Sequence, residues 1–181
     1  MAFKMKGSAF KQKNVLNKES LEKYLSNTRG QTGKFWEQTG DTIAYHETGP
    51  HTRMETDAIQ KGGGPGRGLF QFESKHNPNS QDGFETAQNR YKNIGRSTGL
   101  DLDSEIMNAT SADQLSEDQQ YSLFYSNLIE GKAKLVNYAS GDMSIEDLWM
   151  KGHKGKEKEG DRESFEESRI DAVTGLKDYN K

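Results

Sequence analysis

The sequence predicts a mainly α-helical domain with a small β or loop region, and three observations carry that expectation. Apolar residues recur at three- and four-residue spacing in separate segments. Those segments carry capping residues at one end and glycine near the other. Six of the nineteen glycines fall within the thirty residues "AYHETGPHTRMETDAIQKGGGPGRGLFQFE", Ala44 to Glu73, a density that helix interiors do not tolerate.

Taken in order, residues 1–17 read as a polar, basic arm, more extended than packed. "NKESLEKYLSN" then has Asn17 as a candidate cap and Leu21, Tyr24 and Leu25 at helical spacing. "TRGQTGKFW" reads as a glycine-broken link carrying Phe35 and Trp36. Asp41 can cap a helix running through Ile43 to His46, which Gly49-Pro50 would end just after Glu47. Loops, with room for short extended pieces, are expected from His51 to Gly68, and "GLFQFE" as a brief strand or the start of a helix.

Further along, Phe84, Ala87, Tyr91 and Ile94 mark a helix closed by Gly95 or Gly99. "LSEDQQYSLFYSNLIEGKAKLVNYASG" is the clearest helical region, with Leu123, Phe124, Leu128, Leu135 and Val136 as a stripe and a break at Gly131. Ser144 is the candidate cap of a last helix, with Asp147 at its third position. In "KGHKGKEKEGDRESFEESR" Phe165 is the one large apolar residue amid dense charge, so 151–181 reads as a solvent-bathed charged extension of a domain spanning 18–150.

Composition narrows the function. The 181 residues suit one domain, and an apolar fraction of 30% against 29% charged residues implies a small core. The net charge of −3, with lysines and acids interspersed, offers no basic stripe for phosphates, so no nucleic-acid partner is expected. The chain has no cysteine, which removes disulfides and thiolate metal sites. His51, His76 and His153 are too widely spaced for an H-E-x-x-H arrangement, so neither metal nor cofactor is implied. The opening "MAFKMKGSAFKQKN" lacks the apolar run of a secretion signal, and no segment reaches spanning length, so no membrane insertion is expected.

The clustered glycines have three candidate uses: a phosphate cradle, a flexible linker or the floor of a cleft. "GGGPGRG" lacks the G-K-[ST] ending that handles phosphate and magnesium, which removes the first. A linker fits poorly beside "GLFQF", whose apolar residues should pack. A cleft floor fits best, because glycine lets a backbone approach a bound ligand closely.

The ordered motifs resemble the lysozyme superfamily. Glu47-Thr48, Asp57-Ala58 and Gly68-Leu69-Phe70-Gln71 follow the order seen in lytic transglycosylases and goose-type lysozymes. His46-Glu47-Thr48, Gly66-Arg67-Gly68, Gln71 and Gly99-Leu100-Asp101-Leu102 resemble the pattern of family-19 chitinases and related phage endolysins. The likeness covers about residues 41 to 102, with weaker support in "LSEDQQYSLFYSNLI" and "DLWMKGHKG". The aromatic-rich segment that carries a second glutamate in the chitinases is missing, which counts against chitinase activity.

The resemblance implies a lysozyme-like fold that cleaves the β-1,4 bond between MurNAc and GlcNAc in bacterial peptidoglycan, with Glu47 as general acid. A helix C-terminus is a poor place for an anion, which suits a carboxyl that must deliver a proton. Gly68, Leu69 and Gln71 would shape the sugar site. Tyr91 is by its spacing a core residue and would join that site only by facing Glu47. Asp57, Glu55 and Glu73 are the nearby candidates for a second carboxylate, which hydrolases of this kind use and lytic transglycosylases do without. Arg67 is as well suited to pairing with Glu73 or Asp57 as to binding sugar. The phage-like wording of the motifs implies a lysis enzyme in the infected host cytoplasm, released to the periplasm by a holin. It equally implies a virion component, beside other virion proteins, that opens the wall during infection. The rival readings are a non-catalytic glycan-binding module on the same fold, serving as a virion structural or adaptor protein, and a chitinase-like glycosidase.

Overall fold

The computed structural model describes residues 14–52, 54–60, 63–73, 83–130, 132–150 and 165. Among them the chain runs α1 (Lys18–Arg29), α2 (Gly33–Thr52), β1 (Gly66–Arg67), β2 (Phe72–Glu73), α3 (Gly83–Thr98) and α4 (Ser104–Asn108). A 3-10 turn at Ala112–Gln114 follows, then α5 (Glu117–Glu130), α6 (Lys132–Ser140) and α7 (Ile145–Leu148). The architecture is mainly α with one small antiparallel hairpin, as the spacing predicts.

Helix α5 is the axis of the domain. Every residue from Gln120 to Ile129 is buried, and α1, α2, α3 and α6 all pack against it. A helix surrounded in this way cannot show a single apolar stripe, so its polar members Ser122, Ser126 and Gln120 lie inside as well. Ser122 and Ser126 satisfy their hydroxyls on the carbonyls of Asp118 and Ser122, one turn back. Phe124 stacks flat on Phe70 of the hairpin, with ring centroids 4.2 Å apart. Tyr121 meets the same ring edge-on at 5.1 Å, so one aromatic cluster joins the helical core to the β region.

Helix α1 begins with a reciprocal cap: the Asn17 side chain accepts from the Ser20 N–H while the Ser20 hydroxyl accepts from the Asn17 N–H. The domain starts slightly before it. Leu16 is buried and its N–H donates to the Asp101 carbonyl at 2.8 Å, so the end of the expected arm belongs to the core. Residues 1–13 lie outside the described residues.

Helix α2 departs most from expectation. It begins at Gly33, with Thr32 Oγ1 accepting from the Phe35 N–H, and absorbs both the glycine-broken link and Asp41. Asp41 is therefore a mid-helix residue and not a cap. Gly40 disfavours a helix on propensity alone, but a Cβ there would stand 2.6 Å from Tyr121 Cε1. Close approach of α2 to α5 requires the glycine, and that tertiary contact overrides the local preference.

The remaining helices follow their signals more closely. Gly99, with φ +72°, closes α3, while Gly95 stays inside it against Leu102. Ser144 Oγ caps α7 by accepting from the Asp147 N–H. Val136, expected in the buried stripe, is 52% exposed. Gly131, where the break in the long helix was expected, lies outside the described residues, as do most of 151–181. Phe165 is fully buried against the domain, so the charged extension is not wholly solvent-bathed. The Phe165 side chain finds a place in the core.

Candidate active site

Ile43 and Ala44 are buried on the inner face of α2, and Glu47 lies one turn further along that face. The helix is interrupted directly afterwards: Gly49 has φ +68° and ψ 177°, outside helical geometry. Thr48, the last residue before this break, returns its hydroxyl to the Ala44 carbonyl at 2.9 Å. The Gly49-Pro50 signal thus leaves Glu47 half-buried at the end of the regular helix, where the sequence expects it.

The carboxyl is held from the far end of the chain. Trp149, immediately after α7, donates its indole Nε1–H to Glu47 Oε1 at 2.5 Å. Trp149 is itself buried. The His46 ring meets it edge-on at 4.4 Å, and Phe165 lies 4.6 Å from His46 and 5.0 Å from Trp149. Three rings from three parts of the sequence therefore pack beside one carboxyl.

The glycine-rich segment forms a compact β turn. Gly66 pairs with Glu73 and Arg67 with Phe72, while Ile59 bridges to Arg67 on the other side. Gly68 to Gln71 make the turn between the strands, with φ +74° at Gly68 and φ +47° at Gln71. Left-handed backbone is ordinary for glycine and uncommon for glutamine, and local hydrogen bonds hold Gln71 there. Its Nε2 donates to the Gly68 carbonyl at 2.6 Å and to the Ala58 carbonyl at 3.4 Å. Gln71 is thus a turn residue, placed just before the brief strand β2. Its Oε1 is buried without a hydrogen-bond partner among the described residues.

Gln120 of α5 ties this turn to the core. Its Oε1 accepts from the Leu69 N–H at 2.7 Å, and its Nε2 donates to the carbonyls of Thr56 and Leu115 at 2.8 and 3.0 Å. A Cβ on Gly68 would come within 2.2 Å of Gln120 Oε1, so glycine is needed at that position for the clamp as well as for its φ. Nothing local in "SEDQQYSLFY" marks Gln120, because two of its three partners, Leu69 and Thr56, lie more than fifty residues earlier in the chain.

The structure separates the expected site residues. Leu69 is fully buried under the turn. Tyr91 is fully buried too; its hydroxyl donates to the Leu16 carbonyl and accepts from the Asp103 N–H, and burial pushes its pKa up to about 12. Both are core residues as they stand and present no surface to a sugar. Glu55 and Asp57 are exposed around a turn closed by the Ala58 N–H to the Glu55 carbonyl, and Glu73 is partly exposed on β2. Arg67 spends Nη1 on the carbonyls of Gly64 and Gly66, at 2.7 and 2.8 Å. His76 and His153 lie outside the described residues.

Two further part-buried carboxylates were missed by sequence reasoning. Asp41 Oδ1 accepts from the Tyr121 hydroxyl at 2.5 Å, and Glu22 Oε1 from the Tyr125 hydroxyl at 3.1 Å. Burial raises the pKa of both acids above the ordinary carboxylate range, and the tyrosine bonds oppose it. Tyr121 and Tyr125 are raised as well, by burial first and then by these acids.

Among the described residues no group of three or more histidines, aspartates and glutamates is placed to hold a metal ion, and no helix is long and apolar enough to cross a membrane. Compared with protein-family models, curated proteins and solved structures, the chain matches none.

Proposed function

We propose that the protein cleaves the β-1,4 glycosidic bond between N-acetylmuramic acid and N-acetylglucosamine in peptidoglycan, with Glu47 as general acid. The observation that carries this reading is the setting of Glu47: a half-buried carboxyl at a helix break, one oxygen of which is held by the Trp149 indole. General-acid catalysis needs a carboxyl kept in one orientation and partly shielded from water. Glu47 passes its proton to the bridging oxygen, and the bond from the anomeric carbon breaks with its electron pair going to that oxygen. Water captures the anomeric carbon in hydrolysis; a hydroxyl of the same sugar captures it in lytic transglycosylation. In lytic transglycosylation the proton released returns to the Glu47 carboxylate; in hydrolysis with a second carboxylate it passes to the carboxylate that activates the water.

In this reading the glycine-rich turn supplies backbone at close range to the substrate, while Leu69, Gln71 and Tyr91 act from beneath by fixing the turn and the core. Glu55, Asp57 and Glu73 are the carboxylates a hydrolytic mechanism would draw on to activate water. The likeness of "HET" and "GRGLFQ" to phage endolysin motifs supports a bacteriophage role, either in lysis or in opening the wall from the virion.

Digestion of purified peptidoglycan by wild type and Glu47→Gln, with mass spectrometry of the released muropeptides, tests the assignment. Anhydro-muramyl ends that vanish in the variant identify a lytic transglycosylase, and reducing ends that vanish identify a hydrolase. Equal release by both proteins, or release by neither, removes Glu47 from catalysis and favours a glycan-binding module.

A further inference from the structure

We propose that Trp149 is the positioning residue of the Glu47 carboxyl, and that Phe165 holds Trp149 in place. The proposal rests on Glu47 being the acid, and it adds how that acid is oriented and from where it is controlled.

An indole N–H donates and cannot accept. The oxygen it holds, Oε1, therefore keeps the acceptor role in the protonated acid, and the transferable proton is assigned to Oε2. Trp149 thereby selects which oxygen of Glu47 faces the leaving group. The bond spans 102 positions of sequence, so the orientation of the acid depends on the end of the helical domain docking correctly.

Trp149 has little to fix it from its own helix, because α7 is only four residues long. Its ring is instead enclosed by His46, beside Glu47 on α2, and by Phe165. Phe165 contacts both His46 and Trp149 and is fully buried, so it closes the far side of the pair. Removal of Phe165 leaves Trp149 room to turn and loosens its hold on the carboxyl. Phe165, beyond α7 in the sequence, is in this way part of the acid's support.

The chain has two tryptophans, so the test can be read from indole N–H resonances of the full-length protein without any substrate. Trp149→Phe identifies the Trp149 signal. Trp36, whose Nε1–H donates to the Gly30 carbonyl at 3.2 Å, serves as the internal control for folding. The shorter bond, to the Glu47 carboxyl, puts the Trp149 proton downfield of the Trp36 proton. Glu47→Gln and Phe165→Ala are each expected to move the Trp149 signal upfield and leave that of Trp36 in place. A Trp149 signal indifferent to Glu47→Gln overturns the proposal whatever the enzyme does.

In turnover assays, Trp149→Phe keeps the aromatic packing and loses the N–H. It is expected to lower kcat about ten- to a hundredfold with KM unchanged. Wild-type kcat in this variant overturns the positioning role. A wild-type protein that releases no muropeptides while the resonances respond as expected instead overturns the catalytic reading and leaves the Glu47–Trp149 contact standing.

Discussion

Asp41 and Glu47 stand six residues apart on α2, and each accepts a hydrogen bond of 2.5 Å from an aromatic side chain. At 3.6 residues per turn they point about 120° apart around the helix. Asp41 faces α5, where Gly40 brings the backbones together and burial raises its pKa. Glu47 lies at the helix break, and its partner arrives from beyond α7. One acid belongs to a part-buried helix interface, the other to the end of an element. Similar local chemistry thus serves packing in one place and, in the proposed function, proton transfer in the other.

The largest expected effect separates the two on activity. Glu47→Gln is nearly isosteric and keeps an acceptor for Trp149, but it cannot donate the catalytic proton. Turnover should fall about 10²- to 10⁴-fold, with a melting temperature close to wild type. Asp41→Asn should retain turnover, because the interface it occupies takes no part in the reaction. Comparable losses in both variants would dissolve the distinction.

Next in size is the clamp between the turn and the core. Gln120→Ala strands the buried Leu69 N–H and removes donors from the Thr56 and Leu115 carbonyls, so a loss of about 2–4 kcal/mol is expected in urea unfolding. A change below about 1 kcal/mol would mean that water replaces the side chain and that the turn is less tightly tied than its contacts imply. The interface around Asp41 is probed by Gly40→Ala. Alanine favours a helix by about 1 kcal/mol over glycine, yet its Cβ meets Tyr121 at 2.6 Å. Overpacking of about 1–3 kcal/mol should outweigh the propensity gain, so the variant is expected to be destabilised. Stabilisation would show that α2 and α5 can separate at no cost.

The contrast also explains what was legible in the sequence. Glu47 at a helix break could be read because its signals are local: Gly49-Pro50 interrupts the regular helix directly after it. Asn17 and Ser144 were legible as caps for the same reason, and so was Tyr91 as a core residue. Asp41 was misread as a cap because Gly33 and Gly40 locally argue for a break, whereas packing against Tyr121 selects a helix containing both. The left-handed turn at Gln71, within a segment open to either strand or helix, was not legible because it is held by carbonyls of Ala58 and Gly68. The partners of Gln120, Trp149 and Phe165 are set by tertiary contacts with no periodic trace. The helical architecture was accordingly readable from spacing, while the groups that orient the candidate acid were not.

The smallest expected effect is a pH dependence that belongs to the Asp41 side of the comparison. Asp41 and Glu22 both have folded-state pKa values raised above their unfolded ones, with burial the leading cause. Between the unfolded and the folded value of each acid, the native state holds more protons than the unfolded chain. Unfolding free energy therefore falls as pH rises through that interval, and the contribution is fully present only below the unfolded carboxylate range. Mild acidification from neutrality should raise stability through these two residues, against the usual trend for ion-paired carboxylates. The Tyr121 and Tyr125 hydroxyls donate to the charged forms and reduce the effect, as does Lys18, while Glu37, Glu117 and Asp118 add to it. Asp41→Asn is expected to flatten this limb of a stability–pH curve measured by urea unfolding, with Glu22 supplying what remains. A curve in the variant that rises toward acid as steeply as in wild type would show that Asp41 pays no desolvation penalty in its interface, and the contrast with Glu47 would then rest on position alone.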